Sequence, residues 1–363
     1  MKFPLTGALA LAALAAPHAA FAEGKLYGVF HMSANQVEAE QAAANRNTAP
    51  DSSPQTQRFG SQVQDGQSVD NNASLIGLQG EKGQFFFAVE LGLDIDSDVD
   101  SAADGLGFTR HAFVGFNSSV GTFSFGRVNT AYKLAGKRVD PFYDTSAANF
   151  VGGFSPEGAT YGLSNLINGW TDNTIAYLSP EIEGLGLTFN AGVHLQEVDD
   201  ADHDLTAGLD WRLGDLTVGL QYIMTGREAE DAGVQGVVAG SGRVVDTAGQ
   251  VTAHYAGKGW SVGASYELVE LLTTDDERGY AYVSGTFDIA EDLTLAASVG
   301  QVDQGAGEGF GANLGLFVDL MEDFQLYALY SFADLDAATL SDASIEDAEN
   351  NTASFGVRYG FEL

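Results

Sequence analysis

Apolar and polar residues alternate along most of this chain, and the last nine residues show the pattern most clearly. Phe355, Val357, Tyr359, Phe361 and Leu363 alternate with Gly, Arg, Gly and Glu, up to the terminal carboxylate. Successive side chains of a β-strand point to opposite faces, so this pattern predicts a strand with one apolar and one polar face. Such a strand fits a soluble sheet as well as a sheet in a membrane. Other parts of the sequence are needed to distinguish these two possibilities.

The connections between the alternating runs are short and long in alternation. The short ones contain Gly or Asp and are typical of tight turns between strands; they lie at 81–83, 118–121, 213–215, 257–259, 290–292 and 321–323. The long ones are polar and cover 38–71, 96–107, 131–169, 227–246 and 335–350. Counting the runs gives about sixteen strands, with tight turns at one rim and long loops at the other, as in an antiparallel transmembrane β-barrel. We therefore predict a single all-β domain.

The N-terminus has the pattern of a secretory signal peptide. Lys2 precedes an uncharged run, 5–16, and small residues lead to Ala20-Phe21-Ala22, an A-x-A cleavage pattern. The run is shorter than the roughly 20 apolar residues of a membrane anchor, and no later stretch of the sequence is long and apolar enough to span a bilayer as a helix. We expect 1–22 to be removed, and the exported chain, 23–363, to cross a membrane only as a closed barrel.

Acidic residues outnumber basic residues by 50 to 16, which gives a formal net charge of −34. This balance argues against nucleic acid as a partner, because no basic patch is available to neutralise phosphates. It indicates a salt-adapted surface, a cavity that attracts cations, or both. Cysteine is absent, which excludes a disulfide framework and a thiolate metal site.

The alternation also predicts which side chains face the interior of a barrel. In 84–100 the odd positions form a continuous apolar face, whereas the even positions include Glu90, Asp94 and Asp96. Because the apolar face has to meet lipid, we predict that these three carboxylates lie on the pore wall.

Several segments together resemble Gram-negative general-diffusion porins. Residues 110–116 and 121–127 resemble the fourth and fifth strands of that family, and 173–180 resembles the strand that follows its inward-folded third loop. Segments 26–28 and 74–81 and the C-terminal strand match as well, and the resemblance covers the whole mature chain. It implies a homotrimer of sixteen-stranded barrels in the lipid of the outer membrane, each with its own water-filled channel.

The resemblance also implies a constriction, where carboxylates on the third loop face arginines on the opposite wall. Here the loop is 131–169, and Pro156-Glu157-Gly158 resembles its acidic turn. The matching residues are Glu157, then Asp144, then Asp140 on the loop, and Arg110 and Arg127 on the wall. The alternative is that the carboxylates are ordinary solvated loop residues and the arginines ordinary residues at strand ends.

The chain departs from this family where the basic wall is usually denser. Leu75 stands where a wall arginine is common, Asp172 takes the place of another on the pore wall, and Val29 replaces a residue that is sometimes lysine. Fewer arginines with the carboxylates retained predict a preference for cations. The last residue is Leu363 instead of the usual Phe, although the alternation is intact.

Two other classes of protein are alternatives to a diffusion channel. An outer-membrane enzyme would need a histidine beside a nucleophile or an activated water. None of the histidines of the mature chain lies in a recognisable nucleophile motif, and the alternation places His111 on the lipid side; they are His31, His111, His194, His203 and His254. A secreted β-rich adhesin would need a second sheet over its apolar bands.

A substrate-specific channel is a further alternative, but no aromatic track for sugars is evident in the sequence. We expect passive diffusion of small hydrophilic solutes and ions, with no catalytic residue and no nucleotide, metal or redox cofactor.

Overall fold

The structure is a computed structural model that describes residues 23–39, 66–94, 105–146, 170–195, 203–226, 245–271, 277–303, 308–336 and 347–363. These residues form seventeen strands and one helix, α1, which is Ala131–Val139. The strands, β1 to β17 in chain order, are Glu23–Ala39, Gly66–Asn71, Leu75–Lys82, Phe85–Asp94, Gly105–Ser118, Gly121–Asn129, Trp170–Leu178, Leu187–His194, Asp204–Leu213, Leu216–Met224, Val245–Gly257, Trp260–Leu271, Glu277–Ala290, Leu293–Asp303, Glu308–Met321, Phe324–Asp336 and Asp347–Glu362.

Within these described ranges, no helix has the length and apolar character needed to cross a membrane. The predicted signal peptide, 1–22, lies outside the described residues.

The strands form one antiparallel sheet that closes on itself. β1 pairs with β17 on one side and with both β2 and β3 on the other. Because β2 and β3 lie end to end beside β1, they share one position, and the closed barrel has sixteen strand positions. Leu26 and Leu363 complete the seam with reciprocal backbone hydrogen bonds of 3.1 and 2.7 Å. The predicted fold class and strand number are confirmed.

The six predicted tight turns each join two neighbouring strands. Gly83, Gly214 and Gly259 adopt positive φ angles in three of them, a conformation that glycine takes without steric cost. A longer connection, 179–186, joins β7 to β8 at the same rim and was not among the predicted turns.

Exposed apolar side chains alternate with buried polar ones along the strands. On β4, Val89 is 39% exposed and Glu90 is 8% exposed, and on β8 Phe189 is exposed whereas His194 is buried. On β17, Phe355 and Tyr359 are exposed, whereas Ser354, which points to the opposite face, is buried. The predicted phase of β4 and β17 is confirmed, and β8 has the same alternation: apolar side chains cover the outside, as a barrel in lipid requires.

The phase at the seam leads to a prediction about Phe361. Its ring stacks on Phe30 with 6.2 Å between centroids, and a Cβ at Gly28 would lie 2.6 Å from it. The change Phe361→Asp would remove this contact and place a carboxylate on the outer face, at a cost of about 1–3 kcal/mol. We expect loss of the heat-modifiable barrel from outer-membrane fractions, measured by gel mobility with and without heating.

Glu362→Ala is the matched control, because Glu362 faces the interior. It pairs with Lys25 at 2.6 Å, but both side chains are more than half exposed, so the pair contributes only about 0–1 kcal/mol. An equal loss of barrel in the two variants would show that the assigned phase is wrong.

Candidate functional site

The segment that follows β6 lies against the inner face of the far wall. The Tyr132 hydroxyl donates a 2.6 Å hydrogen bond to buried Glu267 on β12, and Arg138 makes two hydrogen bonds, of 3.0 and 2.8 Å, to Asp210 on β9. Burial and the Glu267 carboxylate raise the pKa of Tyr132, so its hydroxyl remains a donor. These charge-assisted bonds fix α1 to β9 and β12.

The turns after α1 continue along the same wall. Tyr282 on β13 donates a 2.8 Å hydrogen bond to Asp140, whose carboxylate also accepts from the Phe142 backbone N–H at 2.9 Å. The fully buried Phe142 ring packs beside Phe317 and Tyr327, on β15 and β16. The described part of the predicted loop, 131–146, therefore occupies the inner side of β9 to β16. Asp140, one of the predicted constriction carboxylates, is placed here as an anchor to the wall.

A cavity of about 200 Å³ separates this segment from the wall formed by β1, β3, β4, β5 and β17. Leu75 and Val29, the two positions at which the resemblance implied basic residues in place of apolar ones, line it. The charged side chains of its lining are Lys133, Lys137 and Asp144 on the segment and Glu90, Arg110 and Arg358 on the wall. Two of the predicted constriction residues, Arg110 and Asp144, are thus brought to one cavity, together with the predicted wall residue Glu90.

Irregular strand pairing turns side chains of β5 toward this cavity. Glu90 pairs with His111, but the next pair is Leu91 with Thr109, so Arg110 is left as the extra residue of a bulge. A bulge breaks the period-two alternation and redirects side chains. Arg110 and His111 are consequently both buried at the cavity, and the prediction that His111 faces lipid is wrong.

Two residues with positive φ angles, an unusual conformation for residues other than glycine, also lie at the cavity. In the described residues, the non-glycine residues with positive φ are Ala73 (63°), Asp144 (62°) and Asn173 (51°). Ala73 interrupts the strand position shared by β2 and β3, and both Ala73 and Asp144 line the cavity. Such conformations persist only where the surrounding structure holds them, and they cluster at functional sites.

The wall carboxylate Glu90 is paired rather than free. Its Oε1 lies 2.7 Å from Arg110 Nε, and its Oε2 accepts a 3.0 Å hydrogen bond from the Tyr27 hydroxyl. Arg110 also donates to the Ala73 carbonyl at 3.2 Å. Because two opposite charges are in direct contact, this largely buried pair contributes little net charge to the cavity.

Arg127 and Asp172 form a second pair, at 2.7 Å, next to the cavity. Arg127 Nε also donates to the carbonyls of Thr109 and Arg110, at 2.8 and 3.0 Å. Neither Arg127 nor Asp172 is among the residues that line the cavity. The predicted wall residues Arg127 and Asp172 are thus paired with each other outside the cavity lining.

Asp144 carries the acidic charge of the segment side. Its Oδ2 lies 3.2 Å from Lys137 Nζ. Burial by itself would raise the pKa of Asp144, but the positive charges of Lys137, Arg110 and Lys133 outweigh it and hold the pKa below its ordinary value. The carboxylate is therefore ionised and faces the basic side chains of the cavity.

Lys133 and Lys137 were not foreseen as site residues. They lie one turn apart on α1, and the signal in the sequence was a basic pair within the predicted third loop. Lys133 Nζ donates to Asn129 Oδ1 at 2.8 Å, and burial, followed by the charge of Arg110, holds the pKa of Lys133 well below its ordinary value. The other predicted positions, Glu157, Asp96 and the side chain of Asp94, lie outside the described residues.

Comparisons with known proteins agree with this architecture. A family model described as Gram-negative porin matches residues 7–362. No curated protein has significant sequence similarity to the chain.

Solved structures give the same fold. An anion-selective porin from Comamonas acidovorans superposes with a TM-score of 0.63 at 16% identity, over 93% of this chain and 99% of that chain. The trimer form of OmpT, an outer membrane protein of Vibrio cholerae, has a TM-score of 0.60 at 16% identity, over 93% and 99%. The outer membrane channel DcaP of Acinetobacter baumannii has a TM-score of 0.59 at 12% identity, over 93% and 97%.

The anchoring of α1 predicts a cost for Tyr132→Phe. The change leaves the buried Glu267 carboxylate short of one donor, which should lower the free energy of unfolding by about 1–3 kcal/mol. The measurement is urea unfolding of the barrel in lipid vesicles. Tyr266→Phe is the control: Tyr266 precedes Glu267 on β12, but its side chain is 53% exposed on the outer face, and we expect a change within about 0.5 kcal/mol. Equal effects would contradict the anchoring role of Tyr132.

Proposed function

Because the chain belongs to the Gram-negative porin family and is an outer-membrane channel, we propose that small hydrophilic solutes and ions diffuse passively through it. The observation that carries this proposal is the cavity between 131–146 and the opposite wall, with charged side chains on both of its sides. Such walls replace part of the hydration of a polar solute and penalise an apolar one. The solute moves down its concentration gradient, and the proposed function requires no catalytic step.

We place the constriction at this cavity, with Asp144 on the segment side and Arg110 with Glu90 on the wall side. Asp140 and Arg127, predicted for the constriction as well, lie outside the cavity lining, where Asp140 accepts from Tyr282 and Arg127 pairs with Asp172. Glu157 remains a predicted member of the segment side, since 131–169 continues beyond the described part.

We further propose that the channel prefers cations. Lysine and arginine outnumber carboxylates in the cavity lining, but Arg110 is buried with Glu90, and Lys137 is paired with Asp144. Nearer the tight-turn rim, the inward-facing, exposed Asp288 and Asp319 have the neutral hydrogen-bond partners Thr294 and Gln325, at 2.9 and 2.8 Å. Charges of this kind, focused inside a narrow pore with low-dielectric walls, raise the local concentration of cations.

The proposal includes a homotrimer. Support comes from the apolar outer face of the barrel and from the trimer form of the similar Vibrio cholerae protein. Extraction in a mild detergent should give a particle with the mass of three subunits, measured by light scattering after size exclusion, which converts to one subunit on heating. A single-subunit mass before heating would contradict the trimer.

The preference for cations predicts the sign of the reversal potential. In a bilayer with a potassium chloride gradient the sign should be that of potassium preference, and the potential should shrink as salt rises, because ions screen charges beyond about 8 Å at physiological strength. Leu75→Arg adds a charge to the cavity lining and should move the potential toward chloride. Gln79→Arg, which adds the same charge to the same strand outside the lining, should move it less. A chloride preference of the unmodified channel would contradict the proposal.

A further inference from the structure

Trp170 lies where the inner segment rejoins the wall. It is the first residue of β7 and pairs with Asn129, the last residue of β6, so it closes the base of the segment that begins with α1. Its side chain is fully buried and is not part of the cavity lining. A residue in this position acts on the cavity only through its neighbours.

Three cationic side chains converge on the Trp170 ring. Lys133 Nζ lies 3.9 Å from the ring centroid, Arg110 Cζ 5.0 Å and Arg127 Cζ 5.9 Å. The negative face of an indole attracts cations within about 6 Å. Trp170 therefore holds cations from β5, β6 and α1 together without adding a carboxylate.

The same contacts hold two of these cations against the edge of the cavity. The Arg110 side chain is 5% exposed, and the Lys133 ammonium is directed at the ring and at Asn129. Burial, followed by the charge of Arg110, holds the pKa of Lys133 well below its ordinary value, as expected for an amino group with little access to water. Lys137, one turn further along α1, has a side chain that is 44% exposed.

We infer that Trp170 is a positioning residue for ion selectivity: its ring holds the charged ends of Arg110 and Lys133 against the edge of the cavity, and so limits the attraction of the pore for anions. This inference rests on the proposed function, since it presumes that ions pass the cavity. It assigns to a buried aromatic residue a property that is usually attributed to the charges on the lining itself.

The first test compares Trp170→Leu with Trp170→Phe by reversal potentials in a potassium chloride gradient. Leucine removes the aromatic face, so Arg110 and Lys133 gain freedom to move toward water, and the permeability ratio of potassium to chloride should fall about two-fold or more. Phenylalanine retains an aromatic face and should restore most of the wild-type ratio. An unchanged ratio in Trp170→Leu, or an equal fall in both variants, would overturn the inference, because a filler of space would give one of these results.

The second test keeps the tryptophan and does not depend on the assembly of Trp170→Leu. Lys133→Met removes a cation that the ring holds against the edge of the cavity, whereas Lys137→Met removes a more exposed cation from the same helix. The reversal potential should move toward potassium much less in Lys133→Met than in Lys137→Met. An equal or larger shift in Lys133→Met would show that Lys133 already acts on passing ions, and would overturn the inference.

These outcomes are distinguishable from failure of the proposed function. Absence of conductance in the unmodified protein would remove the channel, and a chloride preference would remove the preference for cations. In the latter case Trp170→Leu would still be expected to increase the chloride preference, because its effect is measured relative to the unmodified channel.

Discussion

The pairing of β1 with β17 is the constraint on which the rest of this structure depends. Hydrocarbon offers no hydrogen-bond partner, so a sheet that crosses a membrane has to close and leave no edge. Closure fixes an inside and an outside, and period-two strands then sort every side chain between water and lipid. Because the barrel is closed, a segment inside it can contact only the inner faces of the strands. Tyr132 bonds to Glu267 in this way, and Asp140 to Tyr282.

The cavity lies where the regular backbone pairing between neighbouring strands is interrupted. Around Arg110 the β4–β5 register shifts, Gly126 and Val128 flank a shift between β6 and β7, and Ala73 interrupts the strand beside β1. Such breaks leave carbonyl groups without ladder partners, and unpaired backbone groups are costly. The arginines take part in this compensation: Arg110 donates to Ala73 O, and Arg127 to the carbonyls of Thr109 and Arg110. The wall cations therefore stabilise the irregular backbone as well as charging the region.

Alternation and glycine turns sufficed to predict the barrel, its strand number and the phase of strands such as β4, because these features repeat along the sequence. The site depended on events that do not repeat. A one-residue bulge at Arg110 places His111 on the opposite side from the predicted one, and the alternation of apolar and polar residues does not indicate this bulge. The role of Asp140 is set by Tyr282, a residue far away in sequence, and the sequence does not tell which face of the loop carries Lys133. Long-range contacts, rather than local propensity, decided these positions.

A count of charges is a poor guide to the field inside such a pore. The whole chain is strongly acidic, yet the described cavity lining holds more cations than carboxylates. Each count ignores how far a charge is buried and what faces it. A buried ion pair such as Arg110 with Glu90 presents a small dipole to a passing ion, whereas an exposed carboxylate with a neutral partner, such as Asp288, presents nearly its full charge. An aromatic face shifts this balance further, since it stabilises a cation without a carboxylate partner.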